Sequence, residues 1–360
     1  MAYTTIDNPE LYFQCKIYTG NGSATHAITF DGDEDMQPDL VWIKNRSSAE
    51  NHALVDSVRG VGKQLLSNSH AAEYSNANSV KAFNSDGFSV GDLSDTNGSG
   101  NNLVAWCWKA GTSFSNDASA TSVGTLDSTG SSSQTGGFSI VSYTSNGSSS
   151  QSVAHNLGAV PHMIISKNRD SSSSSYNYWT VYHHSNATAN DKKLKLNTND
   201  AVSSTNEWGD TDPTSTVYSL HTSGDGTTNV STDKMISYVF TGIQGFSKFG
   251  SYVGNGNANG TFVYLGFRPA FVIFKGTASN REWILADNKR DPINEVDAVL
   301  YGNAADAEGD SDMVDFLSNG FKLRHASGPG TINTNGETYV YMAFAEAPFV
   351  NSNGVPCNAR

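Results

Sequence analysis

The chain has 360 residues and a formal net charge of −13, from 35 acidic and 22 basic side chains. An acidic chain is repelled by phosphate backbones, which sets nucleic acid aside as a partner. Its 34 glycines and many Ser, Asn and Thr favour turns and short strands over helices. No apolar run approaches the roughly 18 residues of a membrane helix, so no membrane insertion is expected.

Residues 1–15 (MAYTTIDNPELYFQC) have neither a basic start nor an apolar stretch, so no signal peptide is read there. They carry Tyr3, Ile6, Leu11, Tyr12 and Phe13, too many apolar groups for a solvated tail. They therefore read as a docking arm that needs a partner surface.

A tyrosine-plus-turn phrase then occurs three times, as YTGNG from Tyr18, YTSNG from Tyr143 and YVGNG from Tyr252. Each is followed by a proline, a buried-strand pattern and a lysine. The proline-to-lysine distance is 6 in every copy: Pro38 to Lys44, Pro161 to Lys167 and Pro269 to Lys275. The distance from tyrosine to proline varies, which is what a rigid strand after an adjustable loop produces. Each copy closes on an aromatic run: NLVAWCWKAG, MISYVFTGIQG or YVYMAFAEAPF. The lysines are 167 − 44 = 123 and 275 − 167 = 108 residues apart, so the chain is three tandem copies of one unit near common domain size.

The predicted organisation is β-sandwiches at 16–111, 137–245 and 246–349. A Ser/Thr/Gly-rich linker at 112–136 separates the first two, and a tail spans 350–360. The junction near 245 is stiff, and direct packing is expected there. Short strands bounded by Asn/Gly/Asp turns, without helices between them, imply an all-β chain of three antiparallel, jelly-roll-like sandwiches. DLVWIK, MIISK and FVIFK read as strands buried on both faces.

Lys44, Asn45 and Arg46 recur as Lys167, Asn168 and Arg169, while the third copy keeps only Lys275. Asp56 follows Lys44 by 12 residues with Arg59 three further on, and Asp287 and Arg290 repeat both distances after Lys275. The middle copy has His183 near that place and no arginine. A motif kept in two copies of three reads as a charge-assisted loop clamp, not a catalytic site.

Asp31, Asp33 and Asp35 alternate as Ca²⁺ ligands often do, but an EF-hand's central glycine and distal glutamate are missing. Asp306, Asp310, Asp312 and Asp315 form a similar acidic stretch. Tyr176, Tyr178 and Trp208, in insertions of the middle copy, are candidates for an exposed aromatic platform for a sugar ring or a partner. No metal spacing, nucleophile elbow or phosphate loop is visible, and no cofactor other than Ca²⁺ is suggested.

The segments MAYTTIDNPELYFQCKIYTGNGS, PDLVWIKNRS, VDSVRGVGKQLLSNS, FNSDGFSVG, LVAWCWKAG and AHNLGAVPHMIISKNRD resemble a repeat family common in tailed phages of marine bacteria. Its members are described as structural, tail-fibre-like or lectin/glucanase-like. The resemblance implies a virion surface protein made in host cytoplasm, with no catalytic residue carried over. The expectation is a tail-fibre or spike-like protein attaching to host-surface glycan. A capsid decoration or head-fibre protein is the first alternative and a glycan-degrading enzyme the second. The resemblance also implies a homo-oligomer, a trimer, and the apolar arm reads as its attachment to other virion proteins, through residues 1–15 and the first domain.

Overall fold

The computed structural model describes residues 2–172, 177–222, 228–325 and 332–357. It is nearly all β, and each of the three copies builds the same four-stranded antiparallel core. In unit 1 the spatial order is Phe13–Thr19, Asn102–Trp108, Leu40–Asn45, Ala53–Asp56. Unit 2 repeats it with Phe138–Thr144, Lys234–Phe240, Met163–Asn168 and Trp179–His183, and unit 3 with Ser247–Val253, Phe267–Gly276, Trp283–Asp287 and Thr338–Pro348, the last again in second place. The closing aromatic strand of each copy thus runs between its first and third strands.

A smaller sheet covers one face of each core. In unit 1 it is made by His26–Ile28, Phe88–Val90 and Val80–Phe83, and in unit 2 by Gln151–Ala154 and Val217–Leu220. In unit 3 the chain curls on through Val296–Tyr301, Gly309–Leu317, Gly320–Leu323 and Phe262–Tyr264 into a near-barrel.

The other face of each core is also covered, which explains the uninterrupted apolar strands. Along Leu40–Asn45, Val41 and Ile43 point into the sandwich of unit 1, whereas Leu40 and Trp42 enter a core shared by all three units. Unit 2 does the same, with Ile164 facing inward and Met163 and Ile165 entering the shared core. A period of two with apolar groups on both faces reads in sequence as a continuous run. At the centre, equivalent residues of the three closing strands meet. Trp108, Phe240 and Phe344 stand opposite Leu40, Met163 and Phe271 respectively, each two residues after its repeat's proline. Their ring centroids form a triangle with sides of 6.3, 6.1 and 5.7 Å. This triangle marks a pseudo-three-fold axis within one polypeptide.

Two expectations need correction. Residues 112–136 are not a linker: Thr112–Asn116 and Ser128–Ser133 pair with each other and extend the core sheet of unit 2. Nor is the arm a free docking segment. Ile6 and Phe13 are each 2% exposed, and Phe13 stacks on Phe344 at 5.1 Å. Tyr12 meets Phe246 edge-on, the Tyr3 hydroxyl donates to Gly266 O (2.8 Å), and Thr4 Oγ1 donates to Gln244 O (2.8 Å). Of the arm's Tyr3, Ile6, Leu11, Tyr12 and Phe13, Leu11 alone, at 36%, is exposed. The apolar arm does need a partner surface, and the third unit of its own chain provides it.

Candidate functional site

The repeated phrase has one structural purpose. Tyr18, Tyr143 and Tyr252 donate their hydroxyls to the carbonyls of Thr96, Thr228 and Ile332 at 2.7, 2.7 and 2.8 Å. The next residue in each case is a buried asparagine. The side-chain oxygens of Asn97, Asn229 and Asn333 accept the backbone N–H of Asn21, Asn146 and Asn255 at 2.9, 3.1 and 2.9 Å. The glycines that follow adopt φ of 64°, 68° and 64°, the left-handed conformation that excludes most side chains. Three rigid, polar, outward loops result, placed alike around the axis.

The three seams between units hold the buried polar chemistry. Lys44 Nζ donates to its own Asn45 O (2.7 Å) and to Ala305 O of unit 3 (3.0 Å). Lys167 does so to Asn177 O (2.9 Å) and to His70 O of unit 1 (3.3 Å), and Lys275 to Arg281 O (2.6 Å) and Asp200 O of unit 2 (2.8 Å). Burial lowers their pKa to about 8, about 7 and about 8. A second position follows the same circuit. Trp179 Nε1 donates to Leu66 O and Trp283 Nε1 to Lys195 O, both at 2.8 Å. In unit 1 the place is taken by His52, whose Nδ1 accepts from Trp42 Nε1, leaving Nε2–H for Tyr301 O of unit 3 (3.0 Å).

The acidic position closes the ring in the opposite sense. Asp56 accepts from Arg59 Nε (2.5 Å) and from Tyr238 of unit 2 (2.8 Å). Asp287 accepts from Arg290 Nε (2.5 Å) and from Trp106 Nε1 of unit 1 (3.1 Å). Unit 2 has His183, whose Nδ1 accepts from Ser185 N, so that Nε2–H donates to Tyr341 O of unit 3 (3.1 Å). Around the two acids the network extends across the seams. Arg46 forks onto Glu308 of unit 3 at 2.8 and 2.6 Å, and Arg290 joins it at 3.0 Å. Arg169 forks onto Glu73 of unit 1 at 2.9 Å twice, and Arg59 joins it at 3.2 Å.

The arginine clamps therefore act between units as well as within loops, and the lysines bind carbonyls instead of the carboxylates expected for them. At the seam of units 2 and 3 all four charges are absent together. Glu308 N–H and Glu73 N–H donate to Arg46 O and Arg169 O, and the equivalent bond there runs from Val202 to Thr277. Asn186 occupies the arginine's place beside His183, and its side-chain amide has no hydrogen-bond partner among the described residues. Glu73 and Glu308 escape sequence reading because they lie 73 − 44 = 29 and 308 − 275 = 33 residues after their lysines.

The aromatic platform expected in unit 2 is not assembled. Tyr176 lies outside the described residues. Tyr178 is covered by Lys195, whose Nζ sits 3.7 Å from the ring centroid. Trp208 is 1% exposed, packs edge-on to Tyr182 in the core of unit 2, and donates to Lys192 O (3.1 Å). Its polar neighbours in sequence suggested exposure, and the fold turns the indole inward. Asp31 pairs with Lys16, and the amide of Asp33 donates to Glu10 (2.9 Å). Asp35 is exposed, and Asp315 pairs with Arg324 at 3.2 Å. Among the described residues no three His, Cys, Asp or Glu side chains are grouped to hold a metal ion, and no helix is long and apolar enough to cross a membrane.

Taken together, these contacts define a single-chain ring of three β-sandwich repeats, closed by buried polar seams around an aromatic axis. The chain belongs to the family described as Domain of unknown function (DUF7483), whose model matches residues 8–348. That match spans all three repeats, so the family's unit is the whole ring. No curated protein and no solved structure matches the chain.

Proposed function

We propose that the chain is a non-enzymatic structural protein of a virion surface, tail-fibre or spike-like, that contacts host-surface glycan. The observation that supports this reading most is the ring itself. The buried Lys44, Asp56, Arg59, Lys167, Lys275, Asp287 and Arg290 hold the seams, and what the ring offers outward is a set of polar loops on β-sandwiches. Asp56, the acid most suited to a catalytic reading, is fully buried against Arg59 and Tyr238. A homotrimer is the assembly the family resemblance implies. With three-fold packing already present in one chain, a monomeric ring is the economical form.

A second reading, capsid decoration, is favoured by the same pseudo-three-fold axis, which suits a seat at a three-fold position of a shell. Gold-labelled antibody imaging of particles from a phage that encodes this chain separates the two. Label on the tail supports adhesion, label distributed over the head supports decoration, and unlabelled particles overturn both.

A further inference from the structure

The seams are related by pseudo-symmetry, so positions at which they differ mark local demands. Between units 3 and 1 lies a niche of about 70 Å³ bordered by Glu10, Gln14, Ala270 and Glu346. Its counterpart between units 2 and 3 encloses about 450 Å³. The residues that differ are recognisable by position. His162 stands where Ala270 does, one residue after the repeat's proline. Gln244 replaces Glu10 three residues before the first core strand, and Gly242 replaces Glu346 two residues after the axial aromatic. Compared with that niche, two carboxylates are absent and an imidazole is present; the seam of units 1 and 2 has Thr135, Ala110 and Asp39 at these positions, so the imidazole is what singles the groove out. His162 also borders a second hollow of about 590 Å³ on unit 2, lined further by Tyr182, His184, Thr188, Asn190 and Asp212.

The donors and acceptors along this groove are fixed. His162 Nδ1 accepts from Gly242 N (2.6 Å), which leaves Nε2–H as a donor. His184 Nε2 donates to Phe249 O (3.2 Å), which leaves Nδ1 as an acceptor. The two ring centroids are 4.4 Å apart. Burial holds both imidazoles neutral, with His162 lowered to about 4 and His184 also lowered. A fixed donor beside a fixed acceptor is the complement of neighbouring sugar hydroxyls, each of which donates and accepts.

An aromatic step adjoins them. Phe262 and Tyr264 alternate on an outer strand at 45% and 47% exposure, so they share one side about 7 Å apart. Tyr264 is held from both sides. Lys248 lies 5.4 Å from its ring centroid and donates to its carbonyl (2.6 Å), and the Tyr3 hydroxyl meets its own at 3.1 Å. Rings fixed in advance bind at lower entropic cost. The net charge of −13 and the carboxylate of Asp212 disfavour an anionic polymer.

We propose that the groove between units 2 and 3 binds a neutral polysaccharide. A pyranose lies on Tyr264 and Phe262, and adjacent hydroxyls are held by His162 and His184. This rests on the adhesion reading and supplies the glycan contact which that reading requires.

The test is affinity electrophoresis of the full chain through native gels containing dextran, laminarin or yeast mannan, with polygalacturonate as the anionic control. At least one neutral polymer should retard the chain. The double substitution Phe262→Ala with Tyr264→Ala, and separately His162→Ala, should abolish the retardation. The double variant changes only half-exposed rings, so its urea midpoint should stay that of the parent, and loss of retardation then reports binding and not folding. Retardation by none of the neutral polymers, retardation by polygalacturonate alone, or retardation that survives both variants overturns the proposal. Those results leave the imaging test of virion location untouched, and unlabelled particles would end the virion reading without altering the gels.

Discussion

Asp287→Ala should destabilise the ring by about 3 kcal/mol, the lower end of the roughly 3–5 kcal/mol range for breaking a buried ion pair. The carboxylate is fully buried and accepts from Arg290 Nε (2.5 Å), Arg290 N (2.9 Å), Lys289 N (3.1 Å) and Trp106 Nε1 (3.1 Å). Burial pushes its pKa up, but the Arg290 charge and these hydrogen bonds outweigh that and hold it below the ordinary carboxylate value. Alanine leaves a buried guanidinium and an indole N–H short of a partner. Leu285 O, Ala298 O and Glu308 still engage Arg290, which is why the lower end applies. At about 2 °C per kcal/mol for a long chain, Tm should fall by about 6 °C.

The seam of units 2 and 3 provides an internal control, since it works with His183, Asn186, Val202 and Thr277. Installing that neutral set at the seam of units 1 and 3, as Asp287→His, Arg290→Asn, Glu308→Val and Arg46→Thr, should cost less than the single alanine, because no charge is left buried alone. Urea unfolding followed by tryptophan fluorescence measures both, with Trp106 as a reporter in contact with the site. A loss under about 1 kcal/mol for Asp287→Ala, or a four-fold variant less stable than the single one, would refute the argument.

Trp208→Ala should lower stability by about 3–5 kcal/mol, as deletion of a core indole does, and an unchanged urea midpoint would return Trp208 to the surface. Burial lowers the pKa of His162 to about 4 and of His183 to about 3, against 6.5 unfolded. Below pH 6.5 the unfolded chain therefore gains protons that the folded chain refuses. Stability should be full above about pH 6.5 and fall as pH drops towards 4. His183→Gln should flatten that slope, and equal slopes in parent and variant count against the assignment. Light scattering should return the 38.4 kDa of one chain, and a mass three times larger would show that the internal ring does not replace a trimer.

Much of the fold was legible because the repeat fixes it. The six-residue proline-to-lysine spacing covers a strand buried on both faces, and the closing aromatic runs supply Trp108, Phe240 and Phe344 to the axis. The pairing of Asp56 with Arg59, and of Asp287 with Arg290, was visible as a spacing, but their partners Tyr238 and Trp106 lie 182 and 181 residues away. Distances of that kind leave no local trace. The lysines read as members of loop clamps because a cation that ends a strand usually meets a carboxylate, and here the neighbouring unit presents carbonyls. The arm was chemically transparent and spatially opaque: Ile6 and Phe13 demanded burial without naming the surface. In the seam groove, His162, Gln244 and Gly242 become informative only when superposed on Ala270, Glu10 and Glu346, a comparison that requires the register of the sheets.

Tethering the three repeats in one chain has a consequence for how the ring can change. In an assembly of separate identical subunits every substitution appears at all three interfaces, and each interface must form at the working concentration. A covalent tether raises the effective concentration of each neighbour to about the millimolar range, so the ring persists on dilution that would dissolve a weak trimer. It also lets one interface drift while the other two hold. The histidine seam works without the four charges and carries the groove, while the two charged seams hold closure through their ion pairs. A ring built this way presents the groove beside His162 once per chain, where a symmetric trimer would present it three times.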